Sequence, residues 1–534
     1  MSNTRHNPAE GEHEALVHNP ATGELLSRHA WMSDAAVDEA FNRAREAQEI
    51  WAALPLRERA RRIRPLAWWL DENSEAVATT ISSCTGKPRQ DAITTEILPA
   101  ALATGYYCRM APRWLRPMRP PLSTLAYVGK RTRVEYLPHG LVGIISPWNY
   151  PLGIPSHEII CALLAGNGVV FKTAPETIPV GECLAEGLAN LDLPPGLMQH
   201  LVLPGVRAGE RLLAADNGVD KLAFTGSVPV GRLLAARAGE RLIPAGFELG
   251  GKDPMLVCHD APMPRAVNGA LWASIQNAGQ ACAGVERIYV DRRLHDSFVN
   301  ELAQRVEGLR VGLPDGNQTD IGPLTTARQR DKVAEQVDQA VSAGAQIVAQ
   351  APMPQELPQG GYWYPPTLLS NVDETMVIMR EETFGPVIAV QAVNDMDEAV
   401  ALANQSPYAL TASVWTRSRR RGRKLARRLN AGTVTVNDHL MTHGMPEISW
   451  GGPRHSGLGR SHGRSGMLAM ARERNLVDER FHFLPRTPWW FPYSERGLRG
   501  LKGAISAFNG RGLGRRMRGL LPFLRTLPDT FRKQ

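Results

Sequence analysis

The sequence is poor in the features that mark several protein classes. Its 534 residues hold six cysteines, at 84, 108, 161, 183, 258 and 282. None forms a CxxC pair and no spacing fits a zinc site, so neither a metal centre nor a disulfide framework is expected. Scattered free thiols point instead to a reducing, cytoplasmic compartment. No run reaches the roughly 18 apolar residues of a simple membrane span. The polar start, MSNTRHNPAEGEHE, has no apolar segment of the kind a secretion signal carries.

Excess charge is also missing from most of the chain. The net charge is +8, but residues 485–534 carry 11 Lys/Arg and 2 Asp/Glu, a net of +9, which leaves about −1 for the first 484. A neutral body argues against nucleic-acid binding, and the basicity belongs to a tail. With 43% hydrophobic and 21% charged residues, the body has the composition of a globular protein. At this length two or three domains are expected.

Ser33-Asp34 reads as a helix start, followed at helical spacing by Ala36, Val37, Ala40, Phe41, Ala44, Ala47 and Trp51. A second helix is expected from about Leu56 to Asn73, with Arg57, Arg59, Arg61, Arg62 and Arg64 on solvated faces. The β-type residues of 125–136, around Gly129-Lys130, predict a two-stranded ribbon. From Gly140 to about Glu248, short apolar runs (Leu141–Ile145, Gly168–Phe171, Met198–Leu203, Lys221–Phe224) alternate with helix-length stretches. That alternation predicts βαβ units and a parallel sheet, with ligands beyond the carboxyl ends of its strands. A second α/β series runs from Met255 to about Asn437.

Six stretches in these patterns could carry chemistry. Asn149 lies in a Pro-rich loop after an apolar strand, where its amide could donate to an oxyanion or simply cap its own turn. Lys172 ends a strand and could bond ribose or phosphate. The strand-to-helix turn at Gly226-Ser227 offers free N–H groups to a pyrophosphate, though without GxGxxG spacing. Glu248 precedes Gly250-Gly251 among apolar neighbours; burial there would raise its pKa and suit it to act as a base. Glu382 and Phe384 could hold ribose hydroxyls and pack on a flat ring. Cys282, in Asn277-Ala-Gly-Gln-Ala-Cys282-Ala-Gly-Val-Glu-Arg287, has small uncharged neighbours that let a ligand approach. Its thiol is either a nucleophile awaiting a base or a small core residue.

Order and distance bring these together. Cys282 follows Glu248 by 34 residues, and Asn149, Lys172, Gly226 and Glu382 fall in a fixed sequence around them. With Glu248-Leu-Gly-Gly-Lys252, Gly279-Gln-Ala-Cys282 and an arginine five residues later, the chain resembles the aldehyde dehydrogenase superfamily from about Ala35 to Arg474. Leu429–Asn437 and Trp450–Arg460 add to the match.

The resemblance implies an α/β fold built from a Rossmann-type NAD(P)-binding domain (1–124 and 140–247), a catalytic domain (248–437) and an oligomerisation ribbon (125–139 and 438–484). It implies a homodimer or homotetramer and an aldehyde substrate oxidised to the acid. Cys282 would be the nucleophile, Asn149 an oxyanion donor, and Glu248 the base that activates water against a thioester. Trp148, Lys172, Glu176, Gly205, Gly209, Gly226, Ser227, Leu249, Glu382 and Phe384 would line the cofactor path. NAD is the expected cofactor, with NADP possible, because Pro175 stands where many NAD-preferring relatives carry a glutamate and Glu176 comes one position later. Tyr150, Trp272 and the segment 439–445 favour an apolar aldehyde, aliphatic or aromatic. A coenzyme-A-acylating relative is the alternative, and Glu248 argues against it.

The tail, 485–534, repeats Leu498, Leu501, Ile505 and Phe508, then Leu513, Met517, Leu520, Leu521 and Leu524, with arginines between. This is the composition of a basic amphipathic segment suited to peripheral membrane contact or to packing on another subunit. A protein whose main business is that tail is a rival reading. Seven glycines each weaken a helix there by up to about 1 kcal/mol.

Overall fold

Ser33 begins the first long helix, Asp34–Ala53, its hydroxyl accepting from the Ala36 N–H, and the helix buries Val37, Ala40, Phe41, Ala44, Ala47 and Trp51. These positions repeat at three and four residues, so one stripe faces the core. The computed structural model describes residues 13–122, 127, 129–315, 318–487, 490–526 and 528. Its chain divides into two units, Met1–Leu115 with Leu137–Arg472, and Arg116–Tyr136 with Glu473–Gln534.

In the larger unit, a six-stranded sheet has the order Gly457–Leu458, Ala245–Glu248, Lys221–Thr225, Leu141–Ile145, Gly168–Lys172, Met198–His200. Its five longer strands are parallel, and Gly457–Leu458 runs antiparallel along the edge. A seven-stranded sheet has the order Gln346–Gln350, Thr367–Ser370, Val387–Val393, Val285–Asp291, Asp253–Val257, Thr411–Trp415, Thr433–Val436, parallel except for its first strand. The central strands of both sheets are buried end to end, as continuous apolar runs in parallel sheets require.

The structure corrects several expectations. The stretch 56–73 forms two helices, Leu56–Ile63 and Leu66–Glu72, separated at Pro65, which has no N–H to continue the ladder. Arg59 is not on a solvated face. It is buried, and its guanidinium donates to the Ala52 and Leu54 carbonyls. The strand expected at 198–203 stops at His200, although the Leu201 N–H still donates to the Phe171 carbonyl.

The paired strands of the ribbon come from the two stretches that the resemblance assigned to it, 125–139 and 438–484, rather than from 125–136 alone. Residues 125, 126 and 128 lie outside the described residues, and Lys130–Pro138 pairs with Ala471–Glu479, more than 300 residues later. The Lys130–Glu479 and Arg474–Glu135 ion pairs join the two strands.

The tail is helical despite its glycines. Helices Glu495–Asn509 and Leu513–Leu524 lie against each other, and a Cβ at Gly503 would come within 2.6 Å of the Gly519 carbonyl oxygen. The glycines that cost helix propensity thus permit a close crossing. Among the described residues, no helix is long and apolar enough to cross a membrane.

Candidate active site

A buried turn, residues 276–281, leads to Cys282, and a cavity opens beside it. The turn is unusual, because Asn277 and Ala278 both take left-handed conformations, with φ of 55° and 52°. Such residues cost of order 1–3 kcal/mol each and persist only where their surroundings fix them. Here the Asn277 N–H donates to Asp91 (3.1 Å), and its amide donates to the carbonyls of Asn149 (3.0 Å) and Gln280 (3.2 Å). Opposite, a side chain at Gly251 would collide with the Cys282 carbonyl oxygen, which explains a glycine at that point of the Glu248–Lys252 stretch.

Asn149 is 3% exposed and donates one amide hydrogen to the Gln280 carbonyl at 3.0 Å. Its Oδ1 is buried with no partner. Its loop is clamped from behind. Lys87 and Glu96 form a fully buried ion pair (2.6 Å); Lys87 also donates to the Asn149 carbonyl (2.7 Å), and Glu96 accepts from the Leu152 and Gly153 N–H groups (2.8 and 3.1 Å). Removing one member of such a pair leaves a buried charge, at a cost of about 3–5 kcal/mol.

Glu248 ends its strand inside the cavity that also exposes Cys282. Its Oε1 accepts from the Ser461 N–H at 3.2 Å, while Oε2 is buried with no partner. Burial, then the nearby Glu158 carboxyl, push its pKa well above the carboxylate range. The Cys282 thiol is partly open to the cavity yet deep in protein. Burial pushes it up as well, with the carboxyls of Glu382, Asp253 and Glu248 adding to the effect. No cation stands by to hold a thiolate, so the thiol needs a base.

Of the expected cofactor residues, Trp148, Lys172, Gly226 and Ser227 lie at or just after the carboxyl ends of strands of the six-stranded sheet, while Glu382 and Phe384 precede the strand Val387–Val393 of the other. Ser227 caps the helix Val228–Glu240 in an extended conformation without a side-chain bond, which leaves first-turn N–H groups open to an anion. Gly226 immediately precedes it. Glu382 accepts from the Gly251 N–H (2.9 Å), and Phe384, at φ 58°, stands edge-on to Trp148 with centroids 5.6 Å apart.

A buried glutamate absent from the sequence-based site holds this loop: Glu286 accepts from the Thr383 and Phe384 N–H groups (2.8 and 2.9 Å) and pairs with Lys252 (2.5 Å). Lys172 is buried at a strand end, Glu176 lies in the 3₁₀ turn Pro175–Thr177, and Leu249 is buried beside the Gly250-Gly251 turn. Gly205 and Gly209 lie on the helix Gly205–Leu212, where Gly209 faces Leu234. A half-buried carboxyl at Glu382, an open helix start at Ser227 and the Trp148–Phe384 aromatic pair are groups of the kind a dinucleotide would need.

The inner cavity is narrow, about 40 Å³, room for little more than a carbonyl group. Tyr150, Trp450 and three imidazoles, His157, His443 and His462, form much of its wall. His157 and His462 stack at 3.8 Å, which suits neutral rings, and burial keeps both well below the ordinary histidine range. No Lys or Arg lines this cavity. A second cavity of about 510 Å³ shares Thr95, Pro99 and His443 with it and adds Leu98, Leu102, Trp272, Met441 and Met445, with the charged side chains Arg109 and Glu447 also on its wall. His157, His462 and Glu158 escaped the sequence reading because nothing in a buried helix or a Ser-His-Gly turn distinguishes a cavity wall from core.

The aldehyde dehydrogenase family profile matches residues 7–476. The chain is 36% identical over 493 residues to 4,4'-diapolycopene aldehyde oxidase of Methylomonas sp., covering 92% of this chain and 91% of that one. It is 37% identical over 445 residues to a Mycobacterium ulcerans (strain Agy99) protein provisionally named succinate-semialdehyde dehydrogenase (NADP(+)) 2, covering 83% and 84%. A crystal structure of PnpE in complex with nicotinamide adenine dinucleotide superposes with a TM-score of 0.83 at 31% identity, over 87% of this chain and 94% of that one. The chain therefore belongs to the aldehyde dehydrogenase family of NAD(P)-dependent oxidoreductases.

Proposed function

We propose that the protein oxidises a long, slim, uncharged aldehyde to its carboxylic acid. The observation that carries this is the pairing of an inner cavity free of Lys and Arg with a wide vestibule whose wall is mostly apolar and carries a single arginine, Arg109. A carboxylate held within the inner cavity would find no cation on its wall and would meet Glu158 and Glu248, whereas an extended chain can lay its body along Leu98, Leu102, Trp272 and the methionines of the vestibule. The likeness to 4,4'-diapolycopene aldehyde oxidase supports the same class.

Cys282 adds through sulfur to the aldehyde carbon as Glu248 accepts the thiol proton. The Asn149 amide and the Cys282 backbone N–H stabilise the oxyanion. Trp148, Lys172, Gly226, Ser227, Glu382 and Phe384 would hold NAD(P)+, which when bound would supply a hydride acceptor, and a thioester is left on Cys282. Glu248 passes the thiol proton on to solvent and, again a carboxylate, draws a proton from water; the water oxygen bonds to the thioester carbon, the C–S bond breaks with its electron pair staying on sulfur, and the acid leaves. Residues 1–124 with 140–247 serve the cofactor and 248–437 the chemistry, in a homodimer or homotetramer joined through the ribbon residues 125–139 and 438–484.

An aldehyde panel tests this. Decanal should exceed succinate semialdehyde in kcat/KM by about 100-fold, the scale of one unpaired charge. A preference for succinate semialdehyde, or for the cationic betaine aldehyde, would sink the reading.

The tail is proposed to touch an anionic membrane surface peripherally. Leu498, Ile505, Leu513, Met517, Leu521 and Leu524 are exposed on its two helices, interspersed with arginines. The full chain should co-sediment with vesicles rich in phosphatidylserine at low salt, and a chain ending at Arg486 should not. Equal sedimentation of the two, or a constant oligomer that shields the tail, would end this reading.

A further inference from the structure

Glu158 and Glu248 reach the inner cavity from different elements, one from the helix Gly153–Ala165 and one from the strand Ala245–Glu248. They are 6% and 7% exposed, and each has an Oε2 with no partner; the Thr225 hydroxyl on the same wall is also unpartnered. The charged groups around them are few. Lys221, itself buried, opposes Glu158, and Arg460 acts on Glu248. The other titratable groups on this wall or beside it, His157, His443, His462, Tyr150, Cys161 and Cys282, are all pushed by burial toward their neutral forms.

Two carboxyls in one closed cavity, facing a single buried ammonium, cannot both ionise freely. We propose that Glu158 and Glu248 hold one proton between them, making Glu158 a positioning residue that governs when Glu248 is free to accept a proton from water. This rests on Glu248 being the base in thioester hydrolysis. Burial holds Glu158 at about 7 against the pull of Lys221, a range in which the shared proton can move at neutral pH. In the active form the proton is on Glu158 and Glu248 is the carboxylate. A water O–H bond breaks and its proton goes to Glu248; the water oxygen bonds to the thioester carbon; the C–S bond breaks and sulfur leaves with the electron pair.

The test uses 4-nitrophenyl acetate, which acylates Cys282 without cofactor, so that steady-state nitrophenol release after the burst reports hydrolysis. Glu158→Gln removes the like charge and should move the acid limb of the hydrolysis pH profile down by about one unit. Hydrolysis at pH 6 then rises about tenfold, with no change at pH 9. Lys221→Met lets Glu158 keep its proton and should move the limb in the same direction. In the Glu158→Gln background it should add nothing, a non-additivity that general loosening of the fold would not produce. An unmoved limb in either single variant with a normal burst, or additive shifts, would overturn the proposal. Glu248→Gln is the separate control: if it hydrolyses the acyl-enzyme at the wild-type rate, the underlying assignment of the base has failed instead.

Discussion

Replacing Cys282 with alanine is expected to lower aldehyde oxidation by about 10⁴-fold or more, with the fold and cofactor binding intact. Losing the attacking atom of a covalent mechanism removes the path rather than weakening it, and enzymes of that kind retain only residual rate. No other thiol can substitute. Cys84, Cys108, Cys161 and Cys258 are buried, and neither they nor Cys183 line the inner cavity. The change deletes one sulfur atom beside an existing opening, so little packing is lost. Stopped-flow cofactor reduction together with cofactor-binding titration checks this; a pre-steady-state burst in Cys282→Ala would refute the assignment of the nucleophile.

Glu248→Gln should separate the two halves of the reaction. Reduction of one equivalent of cofactor proceeds, more slowly because the thiol has lost its base, and turnover then stalls as thioester accumulates. General-base contributions of about 10²–10⁴-fold set the expected loss. Intact-mass measurement should find the acyl group on Cys282, and an acyl-free protein at steady state would count against it.

The same substitution carries a stability signature. Glu248 has a pKa far above its unfolded value. Below the unfolded pKa both states hold the proton. As pH rises beyond that, the unfolded chain releases it before the native one does, and stability falls until the folded pKa is passed. Glutamine has no proton to lose, so the variant should melt above the wild type, by a margin that grows as pH rises from about 5 and levels off once the native Glu248 carboxyl ionises. Activity and stability trade against each other at this position.

Much of the architecture was legible because parallel strands, buried on both faces, spell themselves as short apolar runs. Leu141–Ile145 and Lys221–Thr225 stand where those runs stand. The long helix from Asp34 announced itself by its cap and its stripe. What could not be read depends on distance in the chain. Arg59 resembles its four neighbouring arginines in sequence, and only the Gly166 turn and the carbonyls packed on it make it a core residue. The partner of Lys130–Pro138 lies at the far end of the family region, beyond any local signal.

The site divides in the same way. Cys282, Glu248 and Asn149 were singled out because their motifs, order and spacing resemble the family's, and the structure sets Cys282 and Glu248 on one cavity with Asn149 tied to the turn that carries the cysteine. Lys87, Glu96 and Glu286 were invisible, since a buried ion pair is written as two ordinary charges many residues apart. The imidazole wall was missed for a different reason: a neutral, stacked histidine has no sequence signature at all.

The left-handed turn at Asn277–Ala278 bears on how portable this chemistry is. Its shape is imposed from outside, by Asp91 and by the Asn149 carbonyl, which Lys87 holds in turn. A peptide of 277–287 moved to another scaffold would relax to ordinary backbone angles and aim its sulfur elsewhere. What could be transplanted is the whole three-part joint of Thr85–Glu96, Trp148–Gly153 and the cysteine turn, and nothing smaller.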